Sequence, residues 1–417
     1  MLNVVVLNGG RGAASIIRSF IRNNVVKLTS VVNAYDDGKS TGEIRHFFDM
    51  LGPSDIRKAQ ELLLPEDSPH HELKKHLFGH RYPAGCDQKR VRAEIRDFAE
   101  GRSDAIGGVT LEEPLLKELV RSALKKFMSA LELAEVVKGR NFDFDDCSLM
   151  NCIYAGMYLL CDRELEKASR AIEKAFGLVG TVLPTSIDNK KLCGIREDGT
   201  VLSCEADIVE LRSNTRIERI FLVSEWFEAQ HLSKLDAEEK RSYLESLNCH
   251  VDATKSVRDA IMAADIIVYG PGTQHSSLYP TYMTRGIASS IAENRTALKV
   301  FVTNIGADYE TPSYKASDYI RGAYYYLSIG ADRAIAMPEL FDVNLVNRVP
   351  ARPEERKSYV DFDKVGFLHM DVPIELDDYE CRERTGRHDG DKIVEKSMIL
   401  HSRKLTRLLE AGHAARH

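Results

Sequence analysis

Long apolar runs are missing from this chain. Nowhere in its 417 residues do about 18 apolar residues follow one another, so no membrane-crossing helix and no membrane partner are expected. The start, Met1-Leu2-Asn3 ahead of a valine run, has neither a basic n-region nor a long apolar h-region, so no secretory leader is expected. An excess of positive charge is missing too. Lys and Arg number 57 against 63 Asp and Glu, a formal net charge of −6, which gives no reason to expect a nucleic-acid partner. None of the eight cysteines forms a C-x-x-C pair. That argues against a structural zinc site, and scattered thiols without a leader read as free thiols in a reducing cytoplasm. There is no G-x-S-x-G elbow, no H-E-x-x-H and no G-x-x-x-x-G-K-[ST]. Gly38-Lys39-Ser40 has the end of a P-loop, but Asn33 stands where its first glycine belongs.

Hydrophobic residues at 43% and charged residues at 29% are ordinary for a globular protein with a real core. Residues 4–7 are a short β-branched apolar run ending in Asn8-Gly9-Gly10-Arg11-Gly12, and residues 13–21 read as a helix. A strand, a glycine turn and a helix open a doubly wound, mostly parallel α/β sheet. Residues 28–34 read as a second strand that runs into Tyr35-Asp36-Asp37-Gly38-Lys39-Ser40-Thr41-Gly42. Helices are expected over 43–51 and from Pro53-Ser54-Asp55 to residue 64, with Ser54 as N-cap. Residues 84–140 are strongly charged, with helical periodicity at 91–100 and 115–137 and a loop at 101–108. They read as a helical insertion with a solvated face. Helices follow at 145–160 and 164–176, a strand at 179–184, and a hairpin over 189–209 around Asp198-Gly199. Strands are expected at 217–223, at 265–269 ahead of Gly270-Pro271-Gly272-Thr273, and at 298–303 ahead of Asn304. After residue 330 come short strands, loops and a basic helix from 392. The expected division is a core of 1–83 and 141–330, an insertion at 84–140, and a small C-terminal extension, 331–417, packing on the core.

Four places could carry chemistry. Gly9, Gly10 and Gly12 let backbone N–H groups approach an anion, with the next helix's positive end behind them. A purely structural turn uses glycine in the same way. Asp36 and Asp37 end a strand, where doubly wound folds place ligands. They suit magnesium, a sugar hydroxyl or general-base work, or a solvated Asx turn. On an extended chain the two point to opposite sides, so one faces the site. Ser54-Asp55-x-Arg57 reads locally as a cap and a surface arginine. Gly270-Pro271-Gly272-Thr273, with Ser276 and Ser277, suits a second phosphate cradle or a tight turn, and nearby His275 alone has little claim as a catalyst.

In order, these motifs resemble one family. Gly9-Gly10-Arg11-Gly12 is followed by Asp36-Asp37-Gly38-Lys39-Ser40-Thr41-Gly42-Glu43-Ile44-Arg45, then Pro53-Ser54-Asp55-Ile56-Arg57 and Leu77-Phe78-Gly79-His80-Arg81-Tyr82. Gly270-Pro271-Gly272-Thr273 and the segment ending at Asn304 come late, and Arg387-His388-Asp389 stands in the tail. The set is similar to the 2-phospho-L-lactate transferase (CofD) family, closer to its gluconeogenesis factor, or YvcK-like, branch. A family segment G-H-N-x-G-N-L stands here as Asp146 to Cys152, with Asn151 kept. Lys39 replaces a small residue, and the charged insertion near 84–140 has no obvious counterpart in the family.

The resemblance implies a Rossmann-like sheet with a nucleotide or nucleotide-sugar ligand across the strands' C-terminal ends. It implies either a magnesium-dependent transferase using a nucleoside-diphosphate-linked donor, or a non-catalytic UDP-sugar-binding regulator. Asp37 and Asp55 would be the catalytic and Mg2+-binding pair. Asn8, Gly9, Gly10, Gly12, Asp36, Ser40, Arg57, Arg81 and Asn151 would bind ligand, as would Gly270, Pro271, Gly272, Thr273 and Asn304. A homodimer is implied as well. A nicotinamide-dependent oxidoreductase is the rival reading, because the acidic pair lies roughly 20 residues past the glycine loop. The remaining motif order does not fit it.

Overall fold

The structure is a computed structural model describing residues 1–348 and 359–414. Its centre is one parallel sheet of seven strands: β1 (Leu2–Leu7), β2 (Val26–Val32), β3 (Thr181–Pro184), β4 (Ile266–Tyr269), β5 (Leu298–Val302), β6 (Val343–Asn347) and β7 (Ile374–Asp377). The spatial order is β7-β6-β5-β4-β1-β2-β3, the dinucleotide-type doubly wound order with a seventh strand added. Val4 pairs with Leu28 on one side and Ile266 on the other, so β1 lies between β2 and β4. Strands covered on both faces become continuous apolar runs. Val4 to Leu7 and Ile266 to Tyr269 are accordingly fully buried. Consecutive strands wind outward from β1 in two directions, leaving a crevice beyond the C-terminal ends of β1 and β4.

Helix α1 (Ala14–Ile21) packs against the C-terminal helix Gly390–Ala414. A Cβ on Gly390 would come 2.1 Å from the Ser15 carbonyl oxygen, so the small residue sets how closely the two helices meet. Helices α2 (Lys39–Phe48) and α3 (Ser54–Leu62) follow β2. The segment 84–140 holds helices Gln88–Ala99 and Pro114–Lys138 around a two-residue hairpin, Ala105–Ile106 with Val109–Thr110. Gly107 and Gly108 both have positive φ, as its tight turn requires. Helix Pro114–Lys138 buries Val120, Leu124, Phe127 and Leu131 in the main core. It crosses Leu149–Leu160 where Gly156 allows close approach, since a Cβ there would lie 1.9 Å from the Ala123 carbonyl oxygen. The tail after 330 supplies β6 and β7 to the sheet itself as well as the last helix. Residues 349–358 and 415–417 of that tail lie outside the described residues.

Several local expectations change. Ser54 does not cap α3: Pro53 precedes the helix, and the Ser54 hydroxyl lies 2.8 Å from that of Thr41. Helix α2 starts at Lys39 rather than 43, and the helix expected from 145 starts at Leu149. The hairpin expected over 189–209 is strand Lys191–Arg196 with the short Val201–Leu202, then helix Glu205–Glu210. Asp207 ends the strand by accepting from both the amide and the hydroxyl of Ser203. With Ile217–Val223 these strands form a separate antiparallel sheet on a small core of Cys193, Ile195, Phe221 and Leu244.

Candidate functional site

A cleft of about 340 Å³ opens past the ends of β1, β2 and β4. The loop after β2, the N-terminal half of α3, helix Glu205–Glu210 and the segment Gln274–Leu278 surround it. Another hollow of about 360 Å³ lies by the far end of α1, between Arg18 and Lys75, and none of the expected site residues lines it.

The two glycine loops meet face to face over the crevice. A Cβ on Gly9 would come 2.0 Å from Ser277 Cβ, and one on Gly12 would come 2.4 Å from the Pro271 carbonyl oxygen. These glycines are therefore required by loop-on-loop packing. Gly10 has a φ of +46°, and a Cβ there would stand 3.0 Å from Asp55 Oδ1 and 3.2 Å from Lys58 Cδ. Asn8 is fully buried. Its Oδ1 accepts from Ser30, and its Nδ2 has no partner among the described residues.

In the second loop Gly272 N–H donates to Asn304 Oδ1 at 3.0 Å, and Asn304 Nδ2 donates back to the Gly272 carbonyl at 2.9 Å. The next donors are also taken. Glu310 Oε2 accepts from the amides of His275 and Ser276, each at 3.0 Å, and Oε1 from the Ser276 hydroxyl at 2.5 Å. An internal carboxylate thus sits where the cradle reading placed a phosphate. Burial pushes the Glu310 pKa up to about 7, and its Ser276 bonds pull the other way. From Ser276 a hydroxyl chain runs to Thr273 and on to Ser277, both in the cleft wall. His275 is buried and neutral, held down at about 3 by burial.

The acidic pair divides. Asp36 faces the cleft, with Oδ2 3.3 Å from Lys58 Nζ and Oδ1 accepting from the Gly38 amide. Asp37 faces away. Its Oδ1 accepts from the Ala206 amide at 3.0 Å and its Oδ2 from the Trp226 indole at 3.4 Å. Burial raises the Asp37 pKa, and the Arg45 guanidinium opposes the shift. Arg45 is itself buried, donates to the carbonyls of Tyr35, Asp36 and Lys190, and lies 5.5 Å from the Trp226 ring centre. This guanidinium pins the loop backbone, which fixes which way each aspartate turns.

Ser40 and Asn151 are buried beneath the loop. Asn151 Nδ2 donates to Ser40 Oγ at 3.1 Å and Thr41 Oγ1 at 3.3 Å, so both side chains tie α2 to Leu149–Leu160. Lys39 pairs with Asp146 at 2.7 Å, and Asp146 also pairs with Arg81 at 3.1 Å.

On α3, Asp55 is buried and Lys58 Nζ lies 3.0 Å from its Oδ1. Burial drives Asp55 toward the neutral form and Lys58 draws it back, while Asp55 raises the pKa of Lys58. At 3.0 Å, with Asp36 on the other side, the charged pair is the state this geometry holds. Arg57 is only 4% exposed. It donates to the Phe78 carbonyl at 2.7 Å, and its Nε and its charge find no partner among the described residues. Burial, then Arg81 and Arg11, push it down to about 10. Glu61 and Asp36 pull the other way, so charges of both signs surround this buried cation, and it makes no ion pair of its own among the described residues.

The expected magnesium pair does not assemble, because Asp37 turns away from Asp55. Among the described residues no three His, Cys, Asp or Glu side chains converge to hold one ion, and the Lys58 ammonium fills the gap between Asp36 and Asp55. The residues as placed do not fit a bound magnesium ion. Lys58, Glu205, Trp226 and Glu310 escaped the sequence reading. Lys58, one helical turn from Asp55, was the one with a readable signal.

A family model described as 2-phospho-L-lactate transferase CofD matches residues 4–398. The gluconeogenesis factor of Halalkalibacterium halodurans is 26% identical over 396 residues, covering 94% of each chain. That of Bacillus subtilis is 23% identical over 400 residues, covering 94% of this chain and 95% of that one. The crystal structure of protein BH3568 from Bacillus halodurans superposes with a TM-score of 0.64 at 23% identity, covering 95% of this chain and 99% of that one. This last likeness bears on the fold.

Proposed function

The chain belongs to the 2-phospho-L-lactate transferase CofD family, and from that premise we propose that its cleft recognises a nucleoside-diphosphate-linked ligand. The observation that carries this reading is Arg57, a buried guanidinium that makes no ion pair of its own among the described residues and is set among Arg81, Arg11, Glu61 and Asp36. A buried cation without a counterion is costly unless a bound anion completes it. Phosphate is the natural partner of arginine. The diphosphate would lie over Lys58 and Arg81, both of which line the cleft. Transfer of the phosphorus-bearing group from such a donor is the activity the family's description suggests. These fixed cations would stabilise charge on the leaving diphosphate by preorganised electrostatics.

A second reading has its own support. Asp36 and Asp55 are both engaged by Lys58, and Asp37 faces Ala206 and Trp226. None of the three stands free as a general base, which favours a ligand-binding regulator without turnover.

Calorimetric titration with GDP, GTP, GMP and UDP-sugars tests the shared core of both readings. Binding of at least one diphosphate, weakened about tenfold or more in Arg81→Gln, is the expected result. Failure of all of them to bind sinks the proposal. Phosphorus NMR of the bound ligand then separates turnover from its absence.

A further inference from the structure

The Lys58 ammonium lies 3.0 Å from Asp55 Oδ1 and 3.3 Å from Asp36 Oδ2, so it bridges α3 and the loop after β2 at the cleft wall. We propose that Lys58 is a tethered cation standing in the place of a divalent metal, and that the cleft therefore takes its phosphorylated ligand without one. The ligand half of this statement rests on the function proposed above; the metal half does not.

Three observations carry it. The first is position: of the carboxylates that line the cleft, Lys58 touches Asp36 and Asp55, one from each of two segments, as a bridging ion would. The second is fixation. The Lys58 stem runs under the first glycine loop, where a Cβ on Gly10 would stand 3.2 Å from its Cδ. Gly10, held at a φ of +46°, leaves room for that stem, so the ammonium is not an idle surface group. The third is exposure. The Lys58 side chain is 30% accessible and that of Asp55 6%, so the carboxylate is sealed in and the cation is what the cleft presents.

The competition is one-sided. Magnesium sheds its water reluctantly and asks for near-octahedral oxygen ligands. Here it would have to displace an attached ammonium from both carboxylates; Glu205, the third carboxylate nearby, accepts from the Asp37 amide instead, and no three such side chains converge on one point among the described residues. The ammonium supplies one positive charge where magnesium would supply two. Arg81 in the same wall, shared with Asp146, and Arg57 near it add positive charge toward a diphosphate.

Mn2+ serves as the probe, titrated into the full chain and read by electron paramagnetic resonance with no nucleotide present. The wild type is expected to hold no stoichiometric Mn2+. Lys58→Met frees the two carboxylates and is expected to hold one Mn2+ per chain, which Asp55→Asn in the same background removes. A stoichiometric Mn2+ in the wild type that Asp55→Asn abolishes overturns the proposal, and so does a folded Lys58→Met that takes none. Circular dichroism establishes folding. If Lys58→Met does not fold, Lys58→Arg replaces it: exclusion of Mn2+ by the guanidinium supports the proposal and Mn2+ entry overturns it. In parallel, GDP and UDP-glucose are titrated in EDTA and in Mg2+. Equal affinity is expected, and loss of binding in EDTA overturns the metal-free claim. If neither nucleotide binds in either buffer, the proposed function falls while the Mn2+ result still decides the role of Lys58.

Discussion

Asp36 and Asp37 point to opposite sides of one loop: the Asp36 carboxylate lies 3.3 Å from Lys58 Nζ in the cleft, and the Asp37 carboxylate accepts from Ala206 and Trp226 behind it. The two substitutions to asparagine should therefore separate. Trp226 is the sole tryptophan, so intrinsic fluorescence reads this corner directly. Asp37→Asn is expected to shift Trp226 emission and to cost about 1–3 kcal/mol in urea unfolding, because it removes the carboxylate that most offsets the buried Arg45 charge. Asp36→Asn is expected to leave the emission where it is. An unchanged spectrum in Asp37→Asn would contradict the geometry.

The glycines of the first loop should tolerate alanine in proportion to the space around them. Gly12→Ala places a methyl 2.4 Å from a backbone carbonyl oxygen, and Gly9→Ala places one 2.0 Å from Ser277 Cβ. Each is expected to lose about 2 kcal/mol or more through forced movement of the facing loop. Gly79, in helix His71–Gly79, has no positive φ, and a Cβ on it would meet nothing within 4 Å. Gly79→Ala is expected to be neutral or to stabilise by about 0.5 kcal/mol. Thermal melts of the three variants side by side give the ranking.

Glu310 links stability to pH. Its folded pKa is raised to about 7 from 4.5 by burial. A raised acid binds more protons folded than unfolded, so its contribution is full below about pH 4.5 and is lost as pH rises through about 7. The shift corresponds to about 3 kcal/mol. Glu310→Gln keeps the shape and cannot ionise. The stability of the wild type minus that of this variant is expected to fall across that window, and a flat difference would rule the assignment out.

His388 carries the opposite sign. It is buried, sits with Nε2 3.0 Å from the Thr303 carbonyl oxygen, and burial lowers its pKa to about 4 from 6.5. A depressed base contributes stability above pH 6.5 and loses it as pH falls toward 4, again by about 3 kcal/mol. His388→Gln, which keeps an N–H donor, is expected to blunt the loss of stability over that range in acid unfolding. The two windows overlap with opposite slopes, so the wild-type curve alone hides both, and only the variant differences expose them.

The local elements were legible in the chain itself. The valine run, the glycine turn and the following helix announced β1 and α1, and Ile266 to Tyr269 ahead of Gly270-Pro271-Gly272 announced β4. Those signals are short-range: apolar runs bury, and glycine permits the turn. The ordered motifs were enough to name the family. Adjacent carboxylates on an extended backbone had to diverge, so the sequence determined that one aspartate would face the site.

Which one faces it was decided by Arg45, through carbonyl contacts with residue 190, some 145 positions away. Glu205 and Glu310 reach the cleft from distant segments, and no local pattern marks a residue for a site formed by chain crossings far along the sequence. Strand β6, interrupted by Asn344 and Asn347, lacks the apolar continuity of β1, and only its pairing between β5 and β7 makes it a strand of the sheet. Lys58 stands between these cases. Its spacing from Asp55 on α3 is a property of the sequence, but the second carboxylate arrives from β2. Helical periodicity fixes neighbours within a turn or two. The bridge across two segments, and with it the question of a metal, was settled only when packing brought the end of β2 against α3.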